Sequence, residues 1–295
     1  MQAVHPGMRR LAGGWFVMGS NRHYPEEAPE RAVEVGPFWI DAQPVTNADF
    51  ARFVAATGHV TAAEIAPLAA DYPGADPALL QPGSAVFTPT SGPVDLRRPD
   101  LWWRYVLGAS WRAPLGPGSG IAGIMEHPVV HIAYPDAQAY AVWAGKALPS
   151  EAEWEFAARG GIERAAYAWG EELEPEGRRM ANTWAGAFPW RSDKPAGHAR
   201  TSPVGAFPAN GYGLYDMIGN VWEWTIDLWE APQASGEGPA CCVPPTPGSQ
   251  AVRVIKGGSH LCAESYCRRY RPAARHPQAS DSPTSHLGFR CVVRG

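Results

Sequence analysis

Cysteine is scarce in this chain, with five residues in 295. Two of them, Cys241 and Cys242, are adjacent, and an odd number cannot pair completely, so a framework of structural disulfides is not expected. Charge is also sparse: 18% of the residues are charged and the formal net charge is −4. The one segment rich in arginine runs from Cys262 to Arg275. This pattern excludes the basic surface of a nucleic-acid-binding protein.

Long apolar segments are missing as well. The sequence has no uncharged apolar run of about eighteen residues, the length that a membrane span requires. Its first ten residues, which include Arg9 and Arg10, lack the apolar core of a signal peptide. We therefore expect a soluble, cytoplasmic protein without a membrane partner.

Glycine and proline are abundant. Together they make up about a fifth of the residues, while hydrophobic residues account for 45% and there are 13 tryptophans. Many glycines and prolines predict loops and turns, and buried indoles can hold such loops in place. With no repeat and no linker, we predict a single domain over residues 1–295, of the α+β class and low in regular secondary structure.

A few elements can be predicted from local signals. Capping residues, proline and glycine predict helices between Thr46 and Gly58, from Pro135 to Gly145, and between Ser150 and Gly160. Apolar runs predict strands at Trp15–Met18, Phe38–Ile40 and Phe289–Val293. The proline-rich residues 66–98 and 230–249 are interpreted as surface excursions.

Cys262 and Cys267 are the most informative residues. They lie five positions apart, beside Gly257-Gly258 and the arginines Arg268, Arg269, Arg271 and Arg275. Guanidinium groups favour the thiolate, which is both a nucleophile and a metal ligand. Two thiolates are too few for a tetrahedral zinc site, whereas soft copper(I) prefers them. A disulfide, two unconnected core thiols and a metal-free redox pair remain as alternatives.

The run Gly-Gly-Ser-x-x-Cys-x-x-x-x-Cys-x-Arg-Tyr-Arg extends from Gly257 to Arg271. This run, which is the most specific, and several other segments resemble the formylglycine-generating enzyme family. The resemblance covers roughly residues 13–293 and is carried by residues 14–20, 44–47, 127–130, 148–155, 210–216, 219–224, 256–259 and 288–290. It implies an asymmetric fold distantly related to C-type lectins.

The resemblance also implies an activity. The family oxidises one cysteine, within Cys-x-Pro-x-Arg of an unfolded or nascent sulfatase polypeptide, to Cα-formylglycine with molecular oxygen. Copper(I) held by Cys262 and Cys267 is the implied cofactor, and relatives are often monomeric. We hypothesise that the substrate cysteine adds a third sulfur, loses a Cβ hydrogen and passes through a thioaldehyde that hydrolyses. This requires the thiol pair at the floor of an open cleft.

By resemblance, other residues line the substrate groove. Ser259 joins the two cysteines as a catalytic residue, and Trp222, Tyr266, Arg275 and His286 would bind substrate. His286 stands where many members have Asn. Buried aromatic residues mostly pack, so packing is an equal alternative for Trp222 and Tyr266.

The resemblance implies two structural calcium sites. The first set comprises Asp216, Gly219, Val221 and Glu223, whose oxygens are hard ligands. Alternatively, Asp216 caps a turn at Gly219 and Glu223 pairs with an arginine. The second set begins at Asn182 and Thr183, but Ala196 stands at the expected aspartate, and only Asp193 is near enough in sequence to substitute.

Two other classes of function stay open. Iron-dependent sulfoxide synthases share the fold but add a helical module with a His-x3-His-x-Glu motif, which this sequence lacks. A non-catalytic member of the fold is the other alternative. Cys291 is expected to be buried and inert, and Cys241 and Cys242 have no assigned role.

Overall fold

The computed structural model describes residues 5–195, 198–230 and 251–295. Ala196, Cys241, Cys242 and most of the predicted excursion at 230–249 lie outside the described residues. Among those that are described, no helix is long and apolar enough to cross a membrane.

Three short α-helices form where local signals predict them. They are α1 (Asn47–Thr57), α2 (Tyr134–Trp143) and α3 (Glu151–Arg159). At the start of α1 and of α3 a capping box closes, and each of these helices ends at a glycine in the left-handed conformation. Helix α2 begins one residue before Pro135 and ends at Trp143, so the predicted bounds were within two residues.

Eleven short strands among the described residues form four small sheets. The strands are β1 (Met8–Leu11), β2 (Gly14–Met18), β3 (Arg31–Val35), β4 (Phe38–Asp41), β5 (Gly83–Phe87), β6 (Trp103–Leu107), β7 (Trp222–Leu228), β8 (Val252–Lys256), β9 (Arg275–Ala279), β10 (Leu287–Gly288) and β11 (Val292–Arg294). Their orders are β1-β4-β11, β10-β7-β8-β9, β2-β3 and β5-β6. The predicted α+β class with little regular structure is confirmed.

One strand prediction and one loop prediction were wrong in part. The strand predicted at Phe289–Val293 is interrupted, because β10 pairs with β7 and β11 pairs with β4, so the intervening residues cross between two sheets. Residues 66–98 are not only a surface excursion: they contain β5, which pairs with β6 and buries Phe87. Burial of one face by a distant partner is not visible in local sequence.

The packing of the core positions the candidate site. One hydrophobic cluster surrounds Phe50, Trp224 and Phe289 and includes Cys262 and Cys267. A second cluster lies between β2, β4 and α3. The thiol pair is thus built into the larger core, in the loop between β8 and β9.

Candidate functional site

A tight loop after β8 brings the two thiols together. Gly258 has φ of +71°, and a Cβ there would lie 2.8 Å from the Arg269 carbonyl oxygen. Only glycine allows that approach, which folds the second half of the loop back on the first. Inside the loop, the Cys262 amide donates to Ser259 O (3.0 Å) and the Cys267 amide to Ala263 O (2.8 Å).

Cys262 and Cys267 form a pair of neighbouring thiols. Their Sγ atoms are 3.5 Å apart. A disulfide bond would be about 2.05 Å long, so the sulfurs are in contact but not bonded. Of the alternatives left open by the sequence, the disulfide and the unconnected thiols are both wrong for this structure.

The thiol pair is buried rather than open. Cys262 and Cys267 are 1% and 0% exposed. Two cavities of about 310 and 260 Å³ lie elsewhere, and neither is lined by these cysteines. The first is bordered by Ser285, which is the residue before His286. The expectation of an open cleft above the pair was therefore wrong for this conformation.

Aromatic side chains pack in the same hydrophobic cluster as the two cysteines. Tyr266 stacks on Phe188 with ring centroids 4.8 Å apart and 6° between the planes, and it meets Trp102 edge-on at 5.5 Å. All three aromatic residues belong to the hydrophobic cluster that includes Cys262 and Cys267. The sequence identified Tyr266 but missed Trp102 and Phe188, since ring stacking between residues far apart in the chain has no local signal.

Ser259 and His286 form a second pair beside the thiols. Ser259 Oγ and His286 Nδ1 are 3.1 Å apart, and the Ser259 amide donates to Cys262 Sγ at 3.4 Å. The backbone carbonyl of His286 accepts from the Trp222 amide (2.9 Å). The structure therefore brings Ser259, His286 and Trp222 together with Cys262, and their role in binding substrate stays a prediction.

Trp222 is fully buried, which agrees with a packing role. Its ring lies against His276, with centroids 5.8 Å apart. The indole Nε1 has no hydrogen-bond acceptor among the residues that the structure describes. A buried donor without an acceptor is costly.

The arginines near the cysteines are mostly neutralised. Arg269 donates to Glu26 at 2.6 and 2.9 Å, and its Nη1 lies 4.0 Å from Cys267 Sγ. Arg271 is buried against Glu27, and Arg275 pairs with Glu151 at 2.9 Å. The sequence expectation that all four arginines favour a thiolate was too broad, because carboxylates compensate three of them.

Sequence reasoning missed the segment that supplies two of those carboxylates, Glu26 and Glu27. Tyr24 accepts a hydrogen bond from the Arg268 amide (3.0 Å), and its ring lies 4.0 Å from the Arg269 guanidinium. A short 3-10 turn, Pro25–Glu27, follows it. In the sequence, the adjacent acidic residues Glu26 and Glu27 and the separate arginine-rich segment were the signal that could have predicted these ion pairs.

The donor set suits a soft ion of low coordination number. In the described part of the chain, no cluster of three or more His, Cys, Asp or Glu side chains could hold a metal ion. The two thiols, 3.5 Å apart, supply two soft sulfur donors. This set does not fit tetrahedral zinc, and it fits copper(I).

Of the two carboxylates in the predicted calcium set, only that of Asp216 is available to bind calcium. Both carboxylate oxygens of Glu223 accept from Arg290 (2.7 and 2.8 Å), and Trp154 Nε1 donates to the same group (2.8 Å). The alternative in which Glu223 pairs with an arginine is therefore the one that the structure has. Asp216 accepts from the Gly205 amide, and burial raises its pKa to about 6.

The first turn of this set has a strained backbone. Asp216 and Asn220 have φ of 53° and 59°, and Gly219 has φ of 74°. The Asn220 amide group donates to Asp216 Oδ1 at 3.3 Å. Asp216 thus caps Gly205 and Asn220 rather than the turn at Gly219, so that predicted alternative was wrong.

At Asn182 a lysine occupies the position expected for a cation. Asn182 Oδ1 accepts from Lys194 Nζ at 2.8 Å. Thr183 accepts from Arg179, whereas Asp193 is exposed and pairs with Arg191 at 3.3 Å. Burial, followed by the charge of Arg179, lowers the pKa of Lys194 to about 7. Asp193 therefore does not replace the missing aspartate, and the residues do not fit a calcium ion.

Cys291 lies apart from the pair. It is fully buried, and burial raises the pKa of its thiol well above the ordinary value. A buried neutral thiol is unreactive. The prediction that Cys291 is buried is confirmed, and its inertness stays a prediction.

The protein combines an asymmetric α+β fold with a reduced thiol pair that lies beside a serine and a histidine. Such a fold and site define a class of protein suited to soft-metal or thiol chemistry. The chain matches the sulfatase-modifying factor enzyme 1-like domain over residues 1–295, and it belongs to that family.

Comparison with known proteins agrees with this assignment. The chain is 56% identical over 288 residues to the formylglycine-generating enzyme of Mycobacterium tuberculosis, with 96% of each chain covered. It is 39% identical to the inactive C-alpha-formylglycine-generating enzyme 2 of Mus musculus, over 98% of this chain and 86% of that one. PvdO from Pseudomonas aeruginosa has the same fold, with a TM-score of 0.61, 23% identity and coverage of 99% and 100%.

Proposed function

We propose that this chain oxidises a cysteine in the Cys-x-Pro-x-Arg motif of a sulfatase polypeptide to Cα-formylglycine, with copper(I) at Cys262 and Cys267 and molecular oxygen as acceptor. The observation that carries the proposal is the pair of unbonded sulfurs, 3.5 Å apart and buried. The family relationship and the name of the M. tuberculosis relative support the substrate class.

The overall reaction balances with an external reductant. The primary thiol of the substrate cysteine, one molecule of oxygen, two electrons and two protons give one aldehyde, one molecule of hydrogen sulfide and one of water. Two molecules of a small thiol, oxidised to a disulfide, supply the electrons and protons. The bound copper would supply the one-electron chemistry with oxygen.

The chain's own residues bind and orient the substrate. Two protein thiols leave room for a third sulfur, which the substrate cysteine provides. The Trp222 indole can donate to a peptide carbonyl, because its Nε1 has no acceptor among the described residues. The Ser259 hydroxyl and His286 imidazole, 3.1 Å apart, are polar groups that a peptide amide can reach.

Burial of the thiols constrains how substrate enters. A peptide reaches Cys262 and Cys267 only after the side chains above them move. Tyr266, which is 7% exposed and stacks on Phe188, is the side chain we assign to this step. Closure over the bound peptide then keeps bulk water from the sulfur.

We also propose a structural calcium ion at Asp216, with the carbonyls of Gly219 and Val221. The support is a buried carboxylate whose pKa burial raises to about 6. A cation beside it would offset the cost of its charge. Glu223 is bound to Arg290 and is left out of this set.

The proposal also covers the cellular location, the oligomeric state and the form of the substrate. We propose that the protein acts as a cytoplasmic monomer on unfolded or nascent sulfatases. Size-exclusion chromatography with light scattering checks the oligomeric state.

One experiment tests the central proposal. The protein is purified without oxygen, titrated with copper(I), then incubated in air with a Cys-Thr-Pro-Ser-Arg peptide and a thiol reductant. We expect one equivalent of copper bound and a product with the mass of the aldehyde, captured by a hydrazide. Cys262→Ser and Cys267→Ser should lose both, and Cys291→Ser should retain both.

The non-catalytic alternative has one observation in its favour, the inactive relative from Mus musculus. It predicts an unchanged peptide even when copper is bound with unit stoichiometry. Absence of copper binding together with peptide turnover would instead point to metal-free redox chemistry at the thiol pair.

A further inference from the structure

Three oxygens from separate segments converge on the ammonium of Lys194. They are Asn182 Oδ1 at 2.8 Å, the Arg200 carbonyl at 3.5 Å and the His260 carbonyl at 3.5 Å. Neutral oxygens arranged around one positive charge resemble the way proteins hold a metal cation.

The orientation of Asn182 is set by its other contacts. This residue is 1% exposed, and its amide nitrogen donates to the Arg200 carbonyl (2.9 Å) and to Ser202 Oγ (3.2 Å). Both amide hydrogens are thereby used, so Oδ1 must face Lys194 as an acceptor.

Lys194 has no carboxylate partner in the parts of the chain that are described. Its neighbour Asp193 faces Arg191 instead, with 56% of its side chain exposed. The ammonium is therefore held by neutral oxygens, with the Arg179 guanidinium, which donates to Thr183, as a second cation nearby.

These contacts lead directly to the thiol loop. His260 lies two residues before Cys262, and the Cys262 carbonyl accepts from the Trp184 amide at 3.0 Å. Trp184 in turn lies two residues after Asn182. The segments that Lys194 joins are thus the ones that hold Cys262 in place.

We propose that the Lys194 ammonium replaces a structural divalent cation: it ties the segments of Asn182, Arg200 and His260 together, and this site binds no calcium. Lys194 is a positioning residue, because it acts on Cys262 only through its neighbours. This inference does not depend on the proposed reaction.

Two substitutions at Lys194 test the proposal. Lys194→Met keeps the length of the side chain and removes the charge, and we expect the melting temperature to fall by about 3–8 °C, in buffer with calcium or with chelator. Lys194→Glu places a carboxylate among the three oxygens, and we expect it to bind one more equivalent of calcium per chain than the wild type does. Isothermal titration calorimetry and elemental analysis measure the stoichiometry.

Lys146→Met is the matched control. Lys146 is ion-paired with Asp41 at 2.6 Å, so its loss should lower stability without changing the calcium stoichiometry. Two results would overturn the proposal: an unchanged melting temperature in Lys194→Met, or a calcium equivalent of the wild type that disappears in Asn182→Ala. If Lys194→Glu does not fold, these two measurements still decide the matter.

Discussion

The Nη1 atom of Arg269 lies 4.0 Å from Cys267 Sγ, while the Nε and Nη2 atoms of the same guanidinium bind Glu26. One cation is thereby shared between a carboxylate and a thiol. At this distance two unit charges interact by about 4 kcal/mol at a dielectric constant near 20, and Glu26 offsets part of that. The positive charge that acts on the Cys267 sulfur therefore depends on both Arg269 and Glu26.

Opposite effects on copper(I) affinity follow from this arrangement. Arg269→Met removes the positive charge beside the anionic dithiolate, and we expect the affinity to fall about tenfold, or about 1.4 kcal/mol. Glu26→Gln removes the carboxylate charge from beside the guanidinium and should raise the affinity. Anaerobic competition with a copper(I) chelator measures both.

Arg268→Met serves as the control for these variants. The Arg268 side chain is 51% exposed and lies 4.0 Å from Glu264, so copper affinity should not change. A loss in Arg268→Met as large as that in Arg269→Met would show that overall charge, not this contact, controls the affinity.

Burial of the thiol pair predicts slow chemical modification. In a Cys241→Ser/Cys242→Ser background, we expect iodoacetamide to alkylate Cys262 and Cys267 more than about tenfold slower in the folded protein than in urea, because reaction requires local opening. Peptide mapping by mass spectrometry assigns each site.

Tyr266→Ala tests what covers the pair. Loss of the ring that stacks on Phe188 should speed alkylation of Cys262 and Cys267 but leave Cys291 protected. Tyr105→Ala, at a residue 38% exposed, is the control. Equal rates in all three proteins would mean that the thiols open by a different route.

Local signals in the sequence were sufficient for the helices. Thr46 and Ser150 each close a capping box, and Gly58 and Gly160 end the same helices. Such signals act over a few residues, so they are readable without a structure. The cysteine pair was found the same way, since a single loop contains it.

Features that depend on distant contacts could not be read. The ion pair of Arg269 with Glu26 spans 243 residues, and Glu223 accepts from an arginine 67 residues away. The buried thiols share a hydrophobic cluster with aromatic side chains from several segments. The sequence around Asn182 predicted a metal ion, but the cation at that position is the ammonium of Lys194. This lysine lies only 12 residues further along the chain.

The buried pair of Arg290 and Glu223 predicts a large loss of stability. Arg290→Met leaves the Glu223 carboxylate, which is 0% exposed, without its counter-charge. We expect the free energy of unfolding to fall by about 3–5 kcal/mol. Adding Glu223→Leu should restore part of that loss, and urea unfolding of the four proteins of the cycle measures the coupling.

Arg294→Met is the matched control for that cycle. Arg294 pairs with Glu153 at 2.6 Å but is 42% exposed, and such pairs contribute about 0–1 kcal/mol. Losses of equal size in the two arginine variants would contradict the assignment of stability to the buried pair.

His131 predicts how stability depends on pH. It is fully buried, with Nδ1 2.7 Å from Ser84 Oγ and Nε2 2.9 Å from the Pro114 carbonyl, and burial lowers its pKa from 6.5 to about 4. Between these values the unfolded chain binds more protons than the folded one, so stability present above pH 6.5 is lost as the pH falls towards 4. This contribution is about 3 kcal/mol.

His131→Asn should remove that dependence. Asparagine tolerates the positive φ of 61° at this position and does not titrate. Urea unfolding between pH 7 and about 4 should give a flatter profile by about 3 kcal/mol in the variant. Some slope will remain, because burial lowers the pKa of His260 and of His127 as well. Identical slopes in both proteins would show that His131 keeps its ordinary pKa in the folded state.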